Sequence, residues 1–461
     1  MEGTRSFAIR TYGCQMNVHD SQKLANLLHH AGYAAATSEG EADLLIINTC
    51  SIREKAEHHL YSDLGGLKGW RAASPGRVLG VGGCVAQQVG DALLGRFPQL
   101  DFVFGTHNIR HVALMAAAAE RGERSADTSE TTSLDRFDLP ARQPQTAEST
   151  PGRAFLTVME GCDMFCSFCI VPRTRGREVS RPAADILGEA RALVDRGVRE
   201  VTLLGQTVNA YGRHDRRRGH SAAAGTLAFA ALLAELDAIS GLERIRYTSP
   251  HPSFFDDALV RAHGELESLC PHVHLPLQSG SNAVLAAMRR RYTREAFLEL
   301  VEALRSARPD IALTSDLIVG FPGETDDDFQ DTLELVERVR FVDHYSFKYS
   351  SRPGTAAAEL AVTDAVPAEV AQDRLERLQG LQRRLTLAYH RRRVGECSAV
   401  LIEGPSRRGG SQLCGRDPYN RVVNLDGAGS PVAPGAIGPV EIVDATPHSL
   451  IGEWSSSALA S

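Results

Sequence analysis

The sequence predicts an α/β protein of three parts: an open parallel-sheet domain, a six-stranded partial (βα) barrel and a small all-β barrel. Strand and helix signals alternate over residues 6–118 and again over residues 153–360. Short alternating strands separated by Gly and Pro turns follow residue 393. The length of 461 residues also exceeds one ordinary core and favours about three domains.

The composition is that of a globular chain without export features: 43% of residues are hydrophobic, 23% are charged and the net charge is −7. Because no global basic field exists, any RNA contact must come from local patches. We expect no membrane-spanning helix, no secretion signal and a cytoplasmic location, since long apolar runs are missing from the sequence. Nine cysteines in such a chain favour metal or redox chemistry over disulfides.

Four strands alternate with helices in the predicted N-terminal domain, residues 5–118. The predicted strands cover residues 6–12, 43–48, 77–81 and 101–104. Asp20 is the expected cap of a helix that carries Leu24, Leu27 and Leu28 on one side. A second helical stretch runs from Arg53 to about Leu64.

Each of the first three strands ends in a cysteine: Cys14, Cys50 and Cys84. Since ligands of open α/β sheets bind beyond the carboxyl ends of the strands, these thiols are expected to converge on a metal site. Three thiolates are one short of the four that close a 4Fe-4S cluster, so one iron would stay open. The glycines at 13, 82 and 83 would let the backbone approach a bulky cluster. The alternative is three independent small core residues.

Residues 119–147 form the predicted linker between domains. The strand and helix pattern ends there, and a run rich in Ser, Thr, Pro and Gln follows. No catalytic residue is expected in this segment.

Six strand signals with helical spacers define the predicted central domain, residues 148–380. They begin at Phe155 and continue at residues 200–204, 244–247, 272–277, 311–319 and 344–347. An eight-stranded barrel needs about 250 residues, and only about 200 are present, so a six-stranded partial barrel is predicted.

Cys162, Cys166 and Cys169 stand at C-x3-C-x2-C spacing directly after the first of these strands. A strand that runs into a short loop turns the three thiols toward one point. Three ligands again leave an open iron, which can chelate a small molecule and pass it an electron. A zinc knuckle or three unrelated core cysteines is the alternative.

Polar side chains and glycine turns follow three later strands of the same domain and suit an adenosine and an amino-acid moiety. The expected cofactor contacts are Gln206, Asn209, Gln278, Ser281, Asp316, Gly320 and Glu324. A run such as 320–323 is also typical of a plain turn. The stretch from Thr325 to Phe329 is expected to begin a capped helix. No role is assigned to His251 or His274.

The C-terminal domain, residues 383–453, follows a basic helix over 367–393 and is predicted to be a small β-barrel. Its expected strands are 397–404, 421–425 and 440–445. Arginines beside an aromatic suit RNA phosphates and stacked bases, although an ordinary solvated face fits equally. The residues concerned are Arg407, Arg408, Arg416, Tyr419, Asn420 and Arg421. The cysteines at 270, 397 and 414 lack ligand spacing and are expected to be structural.

This order of three parts resembles the methylthiotransferases, in which an N-terminal methylthiotransferase domain precedes a radical S-adenosylmethionine (SAM) core and a TRAM domain. Within that family, residues 11–17 (TYGCQMN), 48–55 (NTCSIREK) and 171–178 (VPRTRGRE) look like the tRNA branch of the MiaB type. The resemblance covers nearly the whole chain apart from the linker and the extreme ends. One departure is the proline before His251.

The resemblance implies conversion of N6-isopentenyladenosine at position 37 of tRNA to its 2-methylthio derivative. It also implies two 4Fe-4S clusters, held by the two cysteine triads, and SAM as cofactor. One SAM would methylate a sulfur at the N-terminal cluster, and a second would be cleaved at the other cluster, because an unactivated aromatic carbon requires radical chemistry. The implied partners are the anticodon stem-loop of tRNA, an electron donor such as flavodoxin or ferredoxin and a sulfur donor. The implied state is a monomer, with no membrane contact.

Three other functions stay open. Two are enzymatic: methylthiolation of threonylcarbamoyl-adenosine in tRNA, or of a ribosomal protein. The third is a non-catalytic iron–sulfur protein that binds RNA and senses redox state.

Overall fold

The computed structural model describes residues 4–51, 54–74, 76–140, 150–219, 225–406, 409, 411–427 and 432–455, without the side chains of 54–58. The chain divides into two compact units. The first contains the described residues up to 140 together with residues 160–164 and 170–181. The second contains residues 150–159, 165–169 and the described residues from 182 onward.

A six-stranded parallel sheet forms the centre of the first unit, with strand order β2-β1-β3-β4-β5-β6. Its strands are β1 (Ser6–Thr11), β2 (Ala34–Ala35), β3 (Leu44–Thr49), β4 (Val78–Gly83), β5 (Phe102–Phe104) and β6 (Ser125–Asp127). Strands β3 and β4 are buried along their whole length, as expected of strands covered by helices on both faces.

Helices cover both faces of this sheet because its strands alternate apolar residues between two cores. Leu44 packs in the core under the first and fifth helices, whereas Leu45 packs under the second. The helices are α1 (Gln15–His30), α2 (Glu54–Ala72), α3 (Cys84–Val89), α4 (Asp91–Arg96) and α5 (Val112–Glu120). The predicted open α/β domain is confirmed.

Two features of the first unit differ from expectation. Helix α1 begins at Gln15, so Asp20 lies inside the helix and does not cap it. Asp20 is buried there by pairing with an arginine from a distant segment, which the local pattern does not reveal. Strand β6 lies within the predicted linker and pairs in parallel with β5.

Two short strands, β8 (Met159–Glu160) and β9 (Val179–Ser180), flank the C-x3-C-x2-C loop in sequence. Between them lies the one-turn helix α6 (Val171–Thr174). Its last carbonyl, that of Thr174, accepts a hydrogen bond of 2.5 Å from Oγ1 of Thr106. This bond fixes the segment after α6 within the first unit.

The second unit contains the predicted partial barrel, and all six of its strands are parallel to their neighbours. The strands are β7 (Arg153–Thr157), β10 (Glu200–Leu204), β11 (Arg244–Tyr247), β12 (His272–His274), β13 (Ala312–Val319) and β14 (Asp343–Lys348). They form two three-stranded sheets, β11-β10-β7 and β12-β13-β14. A bridge between Ile245 and Leu269 lies between these two sheets.

One large hydrophobic core joins these strands to the surrounding helices. The helices are α7 (Ala183–Val194), α8 (Arg213–Arg218), α9 (Phe229–Asp237), α10 (Asp257–Glu265), α11 (Asn282–Ala287), α12 (Arg294–Ala307), α13 (Asp326–Val339), α14 (Ala356–Leu360) and α15 (Ala368–Arg392). Thr325 caps α13 and forms a reciprocal capping box with Asp328, as the sequence predicts. The partial barrel is confirmed.

The C-terminal part closes into a five-stranded barrel of order β15-β16-β17-β19-β18. Its strands are β15 (Cys397–Pro405), β16 (Gln412–Arg416), β17 (Val422–Asp426), β18 (Ile437–Ala445) and β19 (Leu450–Trp454). Three of these strands were expected, and β16 and β19 complete the closure that removes free sheet edges.

This small barrel docks on the amino-terminal ends of the central strands. Arg244 and Arg246 begin β11 and donate to backbone carbonyls of the small barrel, including 2.8 Å bonds from Arg246 to Asp417 and Pro418. The carboxyl ends of the central strands, where barrel enzymes place their sites, therefore lie at the opposite end of the strands.

Candidate active site

Cys14, Cys50 and Cys84 meet at one edge of the first unit's sheet. Cys14 lies between β1 and α1, Cys50 follows β3, and Cys84 begins α3 directly after β4. These three strands are neighbours in the sheet, so their carboxyl ends share one edge. Cys50 and Cys84 are buried and Cys14 is half-buried.

Glycine brings the thiols together at two positions. A Cβ on Gly13, at φ +124°, would stand 2.4 Å from Cβ and 2.8 Å from Sγ of Cys50. A Cβ on Gly83, at φ +95°, would stand 2.4 Å from the carbonyl oxygen of Thr49. Gly82 was expected to give a cluster room, but the structure shows another reason for a glycine there: a Cβ at this position would collide with the ring of Phe104.

The surroundings of this triad suit metal-binding thiolates. A hydrogen bond from Cys50 lowers the pKa of Cys14 to about 6, with a further contribution from the charge of Arg175. Burial raises the pKa of Cys84, and Arg175 opposes that rise. Because the thiolate is the form that ligates iron, the three side chains fit an iron–sulfur cluster.

Two asparagines of the motifs around these cysteines hold the loops in place. Nδ2 of Asn17 donates to the carbonyl of Thr49 at 2.8 Å, and Nδ2 of Asn48 donates to the carbonyl of Asn17 at 2.9 Å. Both side chains are fully buried. Sequence reasoning quoted both residues without giving them this role.

A buried ionic network lies beside the triad. Nη2 of Arg175 pairs with Oδ2 of Asp20 at 2.6 Å. Glu160 pairs with Lys23 at 2.9 Å and with Arg136 at 2.5 Å. Burial alone would raise the pKa of Glu160, but these cations hold it well below its ordinary value. Arg136 lies within the predicted linker, so that segment contributes to the site's surroundings.

Cys162 lies in the first unit and is buried. Its Sγ accepts from the backbone N–H of Met164 at 3.4 Å, and its own N–H donates to the carbonyl of Gly176. A Cβ on Gly161, at φ +83°, would stand 2.1 Å from the carbonyl oxygen of Arg177. Backbone donors to sulfur favour the thiolate that a cluster requires.

Cys166 and Cys169 lie in the second unit. Nη1 of Arg290 donates to Sγ of Cys166 at 3.4 Å, and this arginine was missed because it lies more than 120 residues away. Ser167 anchors the same turn, since its Oγ donates to the carbonyl of Ala287 at 2.8 Å. A cationic donor beside a buried sulfur fits a negatively charged ligand set.

Four of the expected cofactor contacts lie at the carboxyl ends of the central strands. Gln206 follows β10, Gln278 follows β12, Asp316 lies within β13 and Gly320 follows it. The backbone N–H of Gln278 donates to the carbonyl of Asp316, which joins two of these positions directly. Asp316 also pairs with Nε2 of His274 at 3.2 Å.

The other three expected contacts, like Asp316, have partners within the protein. Asn209 exchanges two hydrogen bonds with the backbone of His251. Ser281 caps α11, and Glu324 pairs with Arg374 at 2.8 Å. Their burial therefore has a structural explanation, which the strand-end pattern alone does not distinguish from ligand binding.

Family models match all three parts of the chain: the radical SAM superfamily over residues 156–336, an uncharacterised family named UPF0004 over residues 6–105 and the TRAM domain over residues 391–454. Among solved structures, the radical SAM methyltransferase TsrM from Kitasatospora setae is similar at a TM-score of 0.57. The similarity covers 79% of both chains at 14% identity, which shows the fold alone. Fold and family models together define a radical SAM enzyme that carries a TRAM domain.

Curated relatives identify the branch. A tRNA-2-methylthio-N(6)-dimethylallyladenosine synthase from Geobacter metallireducens is 51% identical over 98% of this chain and 99% of its own length. Enzymes of the same name from Ruegeria pomeroyi and Agrobacterium fabrum are 47% and 46% identical, each over 98% of this chain and 100% and 98% of their own lengths. The chain belongs to the family of tRNA-2-methylthio-N6-dimethylallyladenosine synthases, which are radical SAM methylthiotransferases.

Membership in this superfamily implies an iron–sulfur cluster and SAM as cofactors. Among the described residues, no helix combines the length and the apolar character that crossing a bilayer requires.

Proposed function

We propose that this chain converts N6-isopentenyladenosine at position 37 of tRNA to its 2-methylthio derivative, by sulfur insertion and methylation, with two 4Fe-4S clusters. The observation that carries the proposal is the convergence of three thiols at the sheet edge of the first unit, in addition to the C-x3-C-x2-C loop. A radical SAM enzyme that needs only SAM cleavage has no use for a second set of three iron ligands.

We assign the two triads different tasks. Cys162, Cys166 and Cys169 hold the cluster that supplies the electron for SAM cleavage. Cys14, Cys50 and Cys84 hold the cluster that supplies the site for the sulfur to be methylated and inserted. Each set provides three ligands, so each leaves one iron open for a small molecule.

The protein's own groups orient and shield these centres. In the C-x3-C-x2-C loop, Arg290 donates to Cys166 and the N–H of Met164 donates to Cys162, and both bonds stabilise negative charge on sulfur. Gln206, Gln278, Asp316 and Gly320 are the proposed contacts of SAM, since polar groups at barrel strand ends suit its ribose and amino-acid moieties. Asn209, Ser281 and Glu324 stabilise the same loops through their hydrogen bonds and ion pair within the protein.

The remaining partners follow from the reaction. The substrate is the anticodon stem-loop with its isopentenylated adenosine, an electron donor such as flavodoxin or ferredoxin reduces the SAM cluster, and a sulfur donor replaces the inserted atom. We propose that the enzyme acts as a monomer in the cytoplasm, where tRNA is modified.

Two triple variants test this division of tasks under anaerobic reconstitution. The wild type is expected to hold about eight irons, and replacing Cys162, Cys166 and Cys169 with alanine is expected to leave about four and abolish SAM cleavage. Replacing Cys14, Cys50 and Cys84 with alanine also leaves about four, but 5′-deoxyadenosine is still made from SAM with dithionite, and no 2-methylthio product forms on isopentenylated tRNA.

Thermal unfolding and tRNA binding of both variants serve as controls, because a damaged first unit would also lose product. Full iron loading of either triple variant contradicts the ligand assignment. Methylthiolated tRNA from a folded variant without Cys14, Cys50 and Cys84 contradicts the two-cluster mechanism.

A further inference from the structure

Arg175 directly follows helix α6 as its C-cap and is buried in the first unit, with 3% of its surface exposed. The backbone on both sides of it is fixed. Thr106 donates to the preceding carbonyl, and a Cβ on the following glycine, Gly176, would stand 2.7 Å from the ring of His107. The guanidinium therefore has a defined position and does not explore solvent.

Only part of this guanidinium is used by the protein. Nη2 is held by Asp20 at 2.6 Å, whereas Nη1 is buried and has no hydrogen-bond partner among the described residues. An unpaired N–H of a buried cation is costly, so such a group is normally matched by an acceptor. The missing acceptor points to a ligand.

The guanidinium lies near the cysteine triad, because α6 packs against α3, which begins at Cys84, and Arg175 pairs with a residue of α1, whose N-cap is Cys14. Its charge acts on both Cys14 and Cys84, and it interacts directly with the thiol of Cys84. The same side chain thus bridges Asp20, in the middle of α1, and the sulfur cluster site at the sheet edge.

The surrounding network carries an excess of positive charge. Lys23, Arg136 and Arg175 are its cations, and Asp20 and Glu160 are its carboxylates. Three cations against two carboxylates leave one positive charge beside the triad, where the pKa of Cys14 is lowered to about 6. Since buried charge must be compensated, this cation favours anionic sulfur on the side of the triad, as a cysteine thiolate or as a sulfur ligand.

We infer that Arg175 holds a small anionic sulfur ligand, of the hydrosulfide or alkanethiolate class, beside the thiols of Cys14, Cys50 and Cys84. This inference rests on the proposed function, because it assumes that the triad carries a cluster with an open iron. Arg175 is then a positioning residue: its free Nη1 donates to the ligand sulfur, and its charge stabilises the anion before transfer.

The test uses full-length protein in which Cys162, Cys166 and Cys169 are alanine, so that only the N-terminal cluster contributes to the spectra. Methanethiolate is titrated into the reduced protein, and its binding is followed by the change in the electron paramagnetic resonance spectrum. Arg175→Met and Arg175→Gln are compared with the parent. Arg136→Met is the matched control, because it removes one charge from the same network without touching the thiols.

Both neutral Arg175 variants are expected to bind methanethiolate at least about tenfold more weakly than the parent, because a charge-assisted hydrogen bond is lost. Arg136→Met is expected to stay within about twofold, because Arg136 pairs with Glu160 and Arg175 remains as the donor beside the thiols. Arg175→Lys, which keeps the charge but not the forked geometry, is expected to lie between the parent and Arg175→Met.

The outcomes separate this inference from the proposed function. A parent protein that assembles no iron on Cys14, Cys50 and Cys84 refutes the proposed function itself. A parent that binds iron and methanethiolate, with a neutral Arg175 variant that binds as tightly, overturns only the inference. If neither neutral variant assembles a cluster, Arg175 serves assembly and not ligand binding, and the inference is again overturned.

Discussion

At the scale of single residues, the loop around Gly13 shows how backbone freedom builds the N-terminal site. Its φ of +124° lies in the region that disfavours side chains, and any Cβ there would overlap Cys50. Position 13 therefore requires glycine for two reasons: its backbone conformation and the lack of space for a side chain. Gly32, at φ +89°, has a similarly restricted backbone conformation, but a Cβ added there would have nothing within 4 Å.

This pair gives a matched prediction. Gly13→Ala and Gly32→Ala each strain the backbone by about 1–2 kcal/mol, but only Gly13→Ala displaces the Cys50 thiol. Iron analysis after reconstitution is expected to fall from about eight to about four atoms for Gly13→Ala and to stay near eight for Gly32→Ala. Equal iron in both variants would show that the close approach at Gly13 has no part in metal binding.

At the scale of elements, the small barrel uses its arginines differently from expectation. Arg421 is buried, donates to Nε2 of His390 and pairs with Asp343 at 3.0 Å. Arg416 pairs with Glu403 at 3.1 Å, and the hydroxyl of Tyr419 donates to Asp310 at 2.7 Å. These side chains have partners inside the chain, which argues against the expected role in RNA phosphate binding.

Arg407 and Arg408, from the same expected patch, lie outside the described residues. The side chains on which the expected RNA contacts of this barrel rested are therefore either paired within the chain or outside the described residues. The sequence pattern of arginine beside an aromatic is the same for an internal contact and for an RNA contact, so it did not separate the two.

The revised expectation concerns docking of the barrel. Replacing Arg416 and Arg421 with alanine removes the ion pair of Asp343 with Arg421 and leaves Glu403 paired with Arg153 but not with Arg416, so the melting temperature should fall. The salt dependence of tRNA binding should keep its slope, because few phosphate contacts are lost. Arg391→Ala, at an exposed position of α15, is the control and should change stability little. An unchanged melting temperature together with a weaker salt dependence of tRNA binding would instead support the expected role of these arginines in RNA binding.

At the scale of the whole second unit, one carboxylate organises the junction between the two barrels. Glu200 begins β10, is fully buried and lies within 3.6 Å of Arg153, Arg244 and Arg246. Each of these arginines also contacts the small barrel, through Glu403 or through backbone carbonyls. Glu200 thus neutralises the cations that join the barrels.

The charge of Glu200 predicts a pH-dependent stability. Burial would raise its pKa, but Arg246, Arg153 and Arg244 lower it below its ordinary value. Its contribution is therefore complete above the unfolded pKa of about 4.3 and is lost as the pH falls through the lower folded pKa. Glu200→Gln should cost about 3–5 kcal/mol at pH 7, because Arg244 and Arg246 lose their carboxylate partner and Arg153 keeps only Glu403 among its ion pairs.

Urea unfolding of the wild type and Glu200→Gln, followed by circular dichroism, measures this difference. The gap between their unfolding midpoints should narrow as the pH falls below about 4. Glu243→Gln, which breaks an exposed ion pair with Arg199, should change the midpoint little at any pH. A gap that stays constant from pH 7 to pH 3 would contradict a charged Glu200.

The sequence by itself determined the three-part architecture, four of the six strands of the first unit's sheet, the six strands of the partial barrel and the two cysteine triads as candidate ligands. These features depend on local information: apolar periodicity, spacing within one loop, and the rule that parallel strands end at one edge. Cys14, Cys50 and Cys84 were brought together correctly because their strands are neighbours in the sheet.

Only the tertiary structure decided which partners the buried polar residues have. Asp20 and Arg175 are 155 residues apart, Arg290 and Cys166 are 124 apart, and Arg421 and Asp343 are 78 apart. A buried charge is stable only beside its partner, and that partner is set by packing and not by neighbouring residues. For the same reason the partners of the strand-end polar residues could not be predicted from the sequence: His274 for Asp316, Arg374 for Glu324 and the first turn of α11 for Ser281.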